Sequence, residues 1–386
     1  MSISNDAGHF FQSSAALATT ERKAAKAKNK YGDPIKFPSK ILAILIDPND
    51  KGGLYVAEAA GEVKKVRLDT QKVEKVFSEG TAPLTSLAIC TKTNTLFAGC
   101  WDKHIYAVDL KDRKKKARRL TGHTDFVKCL LATSLSGKPV LLSGGADAAT
   151  IVWDIETGTQ LHKLKGHTKA LQDLAIDPFS LLDFATEPLD DFVLFSASSD
   201  PHFRRWHISL KSCRELAESE DAPVQAHDTS IYKLHFDTSG DIWTASADKT
   251  AKHLVRDRGW EADTTLQHPD FVRDVVVVER AGVVVTACRD EIVRVWDVAT
   301  GKLVCTYEGH FEEVTGLAVW ESEVLSGSID GTVRKWGLRK QEMAKYLEEV
   351  EKEKGGEAVE EKKGDKSGSV LTAEEEAELA ELMDDD

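Results

Sequence analysis

Cysteine is scarce in this chain of 386 residues, and the six present, Cys90, Cys100, Cys129, Cys213, Cys288 and Cys305, form no C-x-x-C pair. That scatter excludes a clustered thiolate zinc site, because soft-metal ligands come in close sets. Lone cysteines among aliphatic residues, as in Val304-Cys305, are expected as buried reduced thiols. Long apolar runs are missing too: none approaches the ~20 residues of a membrane-spanning helix. Met1 to Thr20 is polar, carries Asp6 and has no apolar signal-peptide core. No phosphate-binding glycine loop, metal triad or activated nucleophile is visible either, which removes the common enzyme classes. These absences together predict an intracellular protein without a membrane anchor.

Basic charge is short at one end. The formal net charge is −13, and residues 341–386 hold 17 acids against 6 lysines. The body before Gln341 carries only −2, so the acidity belongs to a tail. Hydrophobic residues at 41% supply apolar surface for a large core and exclude a mostly disordered chain.

What fills the chain is a repeat. Leu142-Ser143-Gly144-Gly145-Ala146-Asp147 leads to Trp153, Val285-Thr286-Ala287-Cys288-Arg289-Asp290 to Trp296, and Leu325-Ser326-Gly327-Ser328-Ile329-Asp330 to Trp336. In each, a hydroxyl residue precedes an Asp by four and a Trp follows that Asp by six. Ser196, Asp200 and Trp206 keep the spacing; Thr244 and Asp248 keep it with Leu254 in place of Trp. Asp102 and Glu62 mark two weaker copies, so the turn acids fall at 62, 102, 147, 200, 248, 290 and 330. Upstream stand Gly122-His123, Gly166-His167, Ala226-His227, Gln267-His268 and Gly309-His310. Each is followed four residues on by an aliphatic: Val127, Leu171, Ile231, Val272 and Val314. Short apolar or alternating stretches between these marks read as strands. Repeats of four strands that cannot bury their faces alone are the logic of a β-propeller.

In these residues, from about 35 to 340, the chain resembles the WD40-repeat proteins. The resemblance implies an all-β, seven-bladed propeller over residues 34–340, with a hydrogen-bonded network inside each blade. By position the network takes His123, Ser143, Asp147 and Trp153 in the third copy and His268, Thr286, Asp290 and Trp296 in the sixth. In the seventh it takes His310, Ser326, Asp330 and Trp336. A trio of His, Ser and Asp that recurs blade after blade is structural, since one enzyme needs one nucleophile at one cleft. No catalytic, cofactor-binding or metal residue is therefore assigned. The resemblance also implies protein binding on a propeller face at the channel rim. Residues beside the turn Asp or just after the histidine give Trp101, Phe126, Lys128, Tyr232, Phe271, Arg273 and Arg289 as candidates. Phe126 and Phe271 either pack between blades or form, with neighbouring cations, an exposed interaction hot spot.

The seventh copy ends near Leu338 without an outer strand, and a bare strand edge invites aggregation. Asp33-Pro34-Ile35-Lys36-Phe37-Pro38 is predicted to supply it, its prolines confined to the ends. Residues 1–33 are expected to be a flexible basic arm with Arg22, Lys23, Lys26, Lys28 and Lys30. The fourth copy carries an insertion, Ser180 to Asp191, with Asp183, Glu187, Asp190 and Asp191; it is a solvated or a docking loop. Residues 341–354 predict a helix with Met343, Tyr346, Leu347 and Val350 on one face. Residues 355–386 are expected as an acidic flexible tail, in which Thr372-Ala373-Glu374-Glu375 opens a short helix.

The expected function is a non-enzymatic scaffold or adaptor joining proteins in an intracellular complex, cytoplasmic and/or nuclear. It is expected to act as a monomer within that assembly, without a cofactor or membrane contact. Two alternatives attach to particular segments. Val333 to Arg339 resembles the adaptor-binding motif of cullin-type ubiquitin ligase receptors, although Gly337 replaces its acidic residue. The basic run from Lys111 to Arg119 suits an RNA-linked role in ribosome assembly, with Lys114, Lys115, Lys116, Arg118 and Arg119 attracting phosphate.

Overall fold

A computed structural model describes residues 20–24, 26–181, 190–216 and 223–364, with side chains to residue 353. Two units divide the chain at Gly337 and Leu338. In the first, short strands rich in Val, Ile and Leu pair in chain order into seven antiparallel sheets, the blades of a propeller. Each blade starts from an inner strand: Ile41–Ile46, Leu84–Cys90, Val127–Leu135, Leu171–Ile176, Ile231–Phe236, Val272–Val278 and Val314–Trp320. Every inner strand packs beside the next, and the seventh beside the first.

The apolar core is a set of seams between neighbouring blades. Leu142, Val152 and Leu164 of the third blade meet Leu174, Leu194 and Trp206 of the fourth. Leu325 and Val333 of the seventh meet Ile41, Leu54 and Val56 of the first. No blade buries its own faces, so stability is a property of the neighbours taken together.

The seventh blade closes as the prolines predict. Ile35–Lys36 pairs antiparallel with the strand Thr332–Gly337, Ile35 opposite Val333 and Lys36 opposite Thr332. The Phe37 N–H donates to the Gly331 carbonyl at 2.8 Å, and the Lys335 N–H to the Gly32 carbonyl at 2.7 Å. Gly32 sits at φ +69°, and a Cβ there would lie 2.8 Å from the Trp336 ring.

The part of the N-terminal arm that is described is held in place. Arg22 and Lys26 reach Glu291 at 2.9 and 2.7 Å, and Lys23 reaches Glu312 at 2.7 Å. The Asn29 amide donates to the Gly309 carbonyl, and its oxygen accepts from Arg334 at 2.7 Å. The expectation of a flexible arm overlooked these acids. Glu291 keeps only 8% of its side chain exposed and is stabilised by two cations. Residues 1–19 lie outside the described part, as do Asp183 and Glu187 of the insertion. Asp190 accepts from Ser136, and Asp191 pairs with His207.

The second unit is a helix, Lys340–Gly364, laced by the pairs Glu348–Lys352 and Lys345–Glu349. It continues through Gly355 and Gly356, where a linker was expected, because the surrounding Glu, Lys and Ala favour helix more than two glycines oppose it. The capping box at Thr372 lies outside the described residues. No helix among the described residues is long and apolar enough to cross a membrane.

Candidate binding site at the channel mouth

Two layers of residues shape the propeller, a sealed polar one in the third to seventh blades and an open one at the start of every inner strand. In the sealed layer of the third blade, Ser143 Oγ accepts the Trp153 indole N–H at 2.8 Å and lies 2.7 Å from His123 Nε2. His123 Nδ1 lies 2.9 Å from Asp147. One proton arrangement satisfies all four groups: neutral His123 donates Nδ1–H to the carboxylate, and its Nε2 accepts the Ser143 hydroxyl. Burial pushes the His123 pKa down, against the pull of Asp147. The fourth blade repeats this with His167, Ser196, Asp200 and Trp206, and the seventh with His310, Ser326, Asp330 and Trp336. Burial alone would raise Asp200, yet its bond from His167 and its backbone partners hold it down at about 2. The fifth keeps His227, Thr244 and Asp248 without the Trp.

The sixth blade departs from the expected network. Asp290 pairs with Arg294 at 2.5 Å, and His268 Nδ1 turns to the Leu266 carbonyl at 3.1 Å. His268 still meets Thr286, which accepts from Trp296. In the seventh blade Arg334 holds the equivalent place but bonds Asn29 and the Tyr31 carbonyl, which leaves Asp330 to His310. The hydroxyls of Ser143, Ser196, Thr286 and Ser326 are fully buried, so no substrate can reach them.

The open layer comes from a repeated irregularity. In every inner strand the pairing slips after its first residue, as between Val127 and Cys129 or Val272 and Asp274. Such a bulge re-aims the extra residue. The seven residues at the slips, Leu42, Thr85, Lys128, Gln172, Tyr232, Arg273 and Thr315, all line one central cavity of about 440 Å³. Thr85 donates to the Val127 carbonyl and Thr315 to that of Ile41, tying each blade to a neighbour.

One residue deeper, the cavity holds Asp173, Lys233 and Asp274. Asp173 pairs with Lys233 at 3.2 Å and accepts the Leu234 N–H of the next blade. Asp274 accepts the Leu317 N–H at 2.7 Å, also across a blade boundary. Burial pushes Asp274 up to about 6 against the pull of Lys233. Burial would discharge Lys233, but Asp173 and Asp274 more than offset it and raise its pKa. This deeper ring is matched in that each charge has an opposite neighbour, although two acids face one base.

The mouth above it is not. Arg273 pairs with Glu313 at 2.5 Å and lies over the Tyr232 ring at 4.3 Å. Lys128 has no carboxylate partner among the described residues, and burial and then Arg273 lower its pKa. Around the mouth, Trp101 stacks on Phe126 with centroids 5.1 Å apart, and both stay about two-fifths exposed at 39% and 40%. Arg289 lies over Phe271 at 5.1 Å and is half-exposed. Leu84 pairs opposite Cys100, and Val272 opposite Cys288, so Trp101 and Arg289 emerge at the end where the inner strands begin. The structure thus brings the seven candidates to one face, six of them as the pairs Trp101–Phe126, Tyr232–Arg273 and Phe271–Arg289, with Lys128 beside Arg273. Leu42, Thr85, Gln172 and Thr315 were not singled out from sequence. Their one signal was position, directly after the first aliphatic residue of each inner strand.

The basic run divides by residue type. Arg113 pairs with Glu74, Arg118 donates to the Glu156 carbonyl and Arg119 covers the Tyr106 ring. Lys114, Lys115 and Lys116 remain exposed.

A family model described as "WD domain, G-beta repeat" matches residues 114–154 and 301–337. An "Uncharacterized WD repeat-containing protein" of Schizosaccharomyces pombe is 34% identical over 395 residues, covering 99% of both chains. Mouse "Pre-mRNA-processing factor 19" is 25% identical over 221 residues, 54% of this chain and 39% of that protein. "Protein tipD" of Dictyostelium discoideum is 23% identical over 60% of this chain and 36% of its own length. The crystal structure of the WD40 propeller domain of Doa1 superimposes with a TM-score of 0.65 at 20% identity, over 79% of this chain and 95% of that one; the likeness is one of fold.

Proposed function

The chain belongs to the WD-repeat family, and from that premise we propose that it is a non-enzymatic scaffold whose channel mouth captures an acidic segment of a partner protein. One observation carries the proposal: Lys128 is turned into the mouth by its bulge, beside Arg273, with no carboxylate of its own among the described residues. A partly desolvated ammonium next to a second cation is stabilised by an incoming carboxylate. The exposed Trp101–Phe126 stack beside the mouth supplies rigid aromatic area of the kind that dominates binding energy. The scaffold acts as a monomer within a larger complex. Six cysteines without a disulfide support an intracellular setting, cytoplasmic or nuclear.

Affinity capture with the Lys128→Glu/Trp101→Ala double variant tests this. Both side chains reach the surface, so the variant should keep its fold and lose its partners. An RNA-linked role is the second reading, favoured by the exposed lysines of the basic run and now narrowed to Lys114, Lys115 and Lys116.

A further inference from the structure

On the fifth blade, just past the end of its inner strand, His253 of the strand Thr250–Val255 stands between two carboxylates of the following loop and one of the outer strand. Its Nε2 lies 3.1 Å from Asp237 Oδ2 and 3.9 Å from Asp241 Oδ2. Its Nδ1 lies 2.8 Å from Asp263, on the outer strand Glu261–Gln267. The second oxygen of each facing acid is already engaged. Asp237 Oδ1 accepts the Asp241 N–H at 3.0 Å, and Asp241 Oδ1 accepts the Arg256 N–H at 2.7 Å. Both Oδ2 atoms are thereby turned toward the imidazole. Trp243 packs against the ring at 4.9 Å. Among the described residues no other His, Cys, Asp and Glu side chains gather three donors this closely.

The first blade shows what this place demands. There Lys65, opposite Tyr55 as His253 is opposite Trp243, lies 2.6 Å from Asp47 and 2.9 Å from Asp50. Its ammonium is a permanent cation between two carboxylates. The fifth blade puts an imidazole there instead, and an imidazole can exchange its proton for a metal. A tetrahedral ion about 2.1 Å from nitrogen and oxygen ligands sets those ligands roughly 3.4 Å apart. The separations of 3.1 and 3.9 Å bracket that edge. A histidine ligand commonly passes its other ring N–H to a carboxylate, and Asp263 stands in that position.

We propose that Asp237, Asp241 and His253 form a site for a divalent transition ion of the zinc class, with Asp263 as the positioning partner of the histidine. Water completes the coordination, since the three side chains are only partly buried. Binding replaces the Nε2 proton, which leaves to solvent, so affinity falls as the pH drops. The site is independent of the channel mouth and of partner capture.

The test is calorimetric titration of the full-length chain, stripped with chelator, with zinc ions near neutral pH. One equivalent should bind and raise the melting temperature. Asp263→Asn should weaken binding by about tenfold to a hundredfold. His253→Gln should bind no equivalent, with a melting temperature that no longer responds to zinc. Absence of stoichiometric binding, or binding unchanged in His253→Gln, overturns the proposal and leaves His253 as an imidazolium between carboxylates. Should His253→Gln fail to fold, Asp241→Asn replaces it; its amide oxygen can still accept the Arg256 N–H, and unweakened zinc binding there overturns the proposal equally.

Discussion

Ser143 bears two partners on one hydroxyl, the His123 ring and the Trp153 indole, in a spot with no exposed surface. Ser143→Ala strands both, and each orphaned buried group costs about 1–3 kcal/mol. Thermal unfolding should show a drop of several degrees; an unchanged melting temperature would contradict the account of the network. The histidines make a second prediction. Burial holds His123, His227 and His310 below the ordinary histidine range and His268 at about 4. The unfolded chain takes up these protons near pH 6.5 while the folded chain does not. Their stabilisation is therefore present above that pH and is lost as the pH falls toward 4. Asp274, raised to about 6 by burial, and His253, raised against its burial by Asp237 and Asp263, act in the opposite sense, but they are two groups against five, since burial also holds His235 at about 4. The melting temperature should fall steadily from pH 7 to pH 4, and a flat or rising profile would refute this. The spacing of Ser143, Asp147 and Trp153 made this network readable in sequence. The exchange at Asp290 was not readable, because Arg294 and Arg334 occupy the same place in two copies. What separates them is Asn29, which lies 305 positions from Arg334.

The closing strand is the element on which the ring depends. Only Ile35 and Lys36 join the ladder, so the fit of the residues around them matters. Gly32 combines a left-handed φ with a close approach to the Trp336 ring. Gly32→Ala should push that ring and destabilise the seventh blade, by about 1–3 kcal/mol for backbone strain and overpacking together. Thermal unfolding measures this, and neutrality would show that the segment before Ile35 contributes nothing to closure. Prolines at both ends of Asp33 to Pro38 revealed this strand in the sequence. The fixed helical stretch before it was hidden, because its cations are matched by Glu291 and Glu312, more than 260 residues away. The bulges of the inner strands were hidden for another reason. Leu42, Thr85, Lys128, Gln172, Tyr232, Arg273 and Thr315 share a geometry and no chemistry, so no motif marks them.

For the whole molecule, the propeller unit is nearly neutral, and among the described residues the charges of its cavity have opposite neighbours except Lys128 at the mouth. Blade number followed from the turn acids, since five copies keep the same spacing from hydroxyl residue to Asp and two weaker copies precede them. The binding face was only partly legible, because which side chains meet across blades depends on ring geometry that no single repeat encodes. Trp101 and Phe126 come from different blades, as do Tyr232 and Arg273. The claim that this face is where the protein works is tested most directly by one paired measurement. Equal amounts of the native chain and of its Lys128→Glu/Trp101→Ala variant are immobilised, exposed to the same cell extract, and the retained proteins quantified by mass spectrometry. The prediction is an unchanged melting temperature with at least a roughly tenfold loss of a defined set of partners, the effect of removing a hot spot. Equal retention of every partner by a correctly folded variant would contradict it.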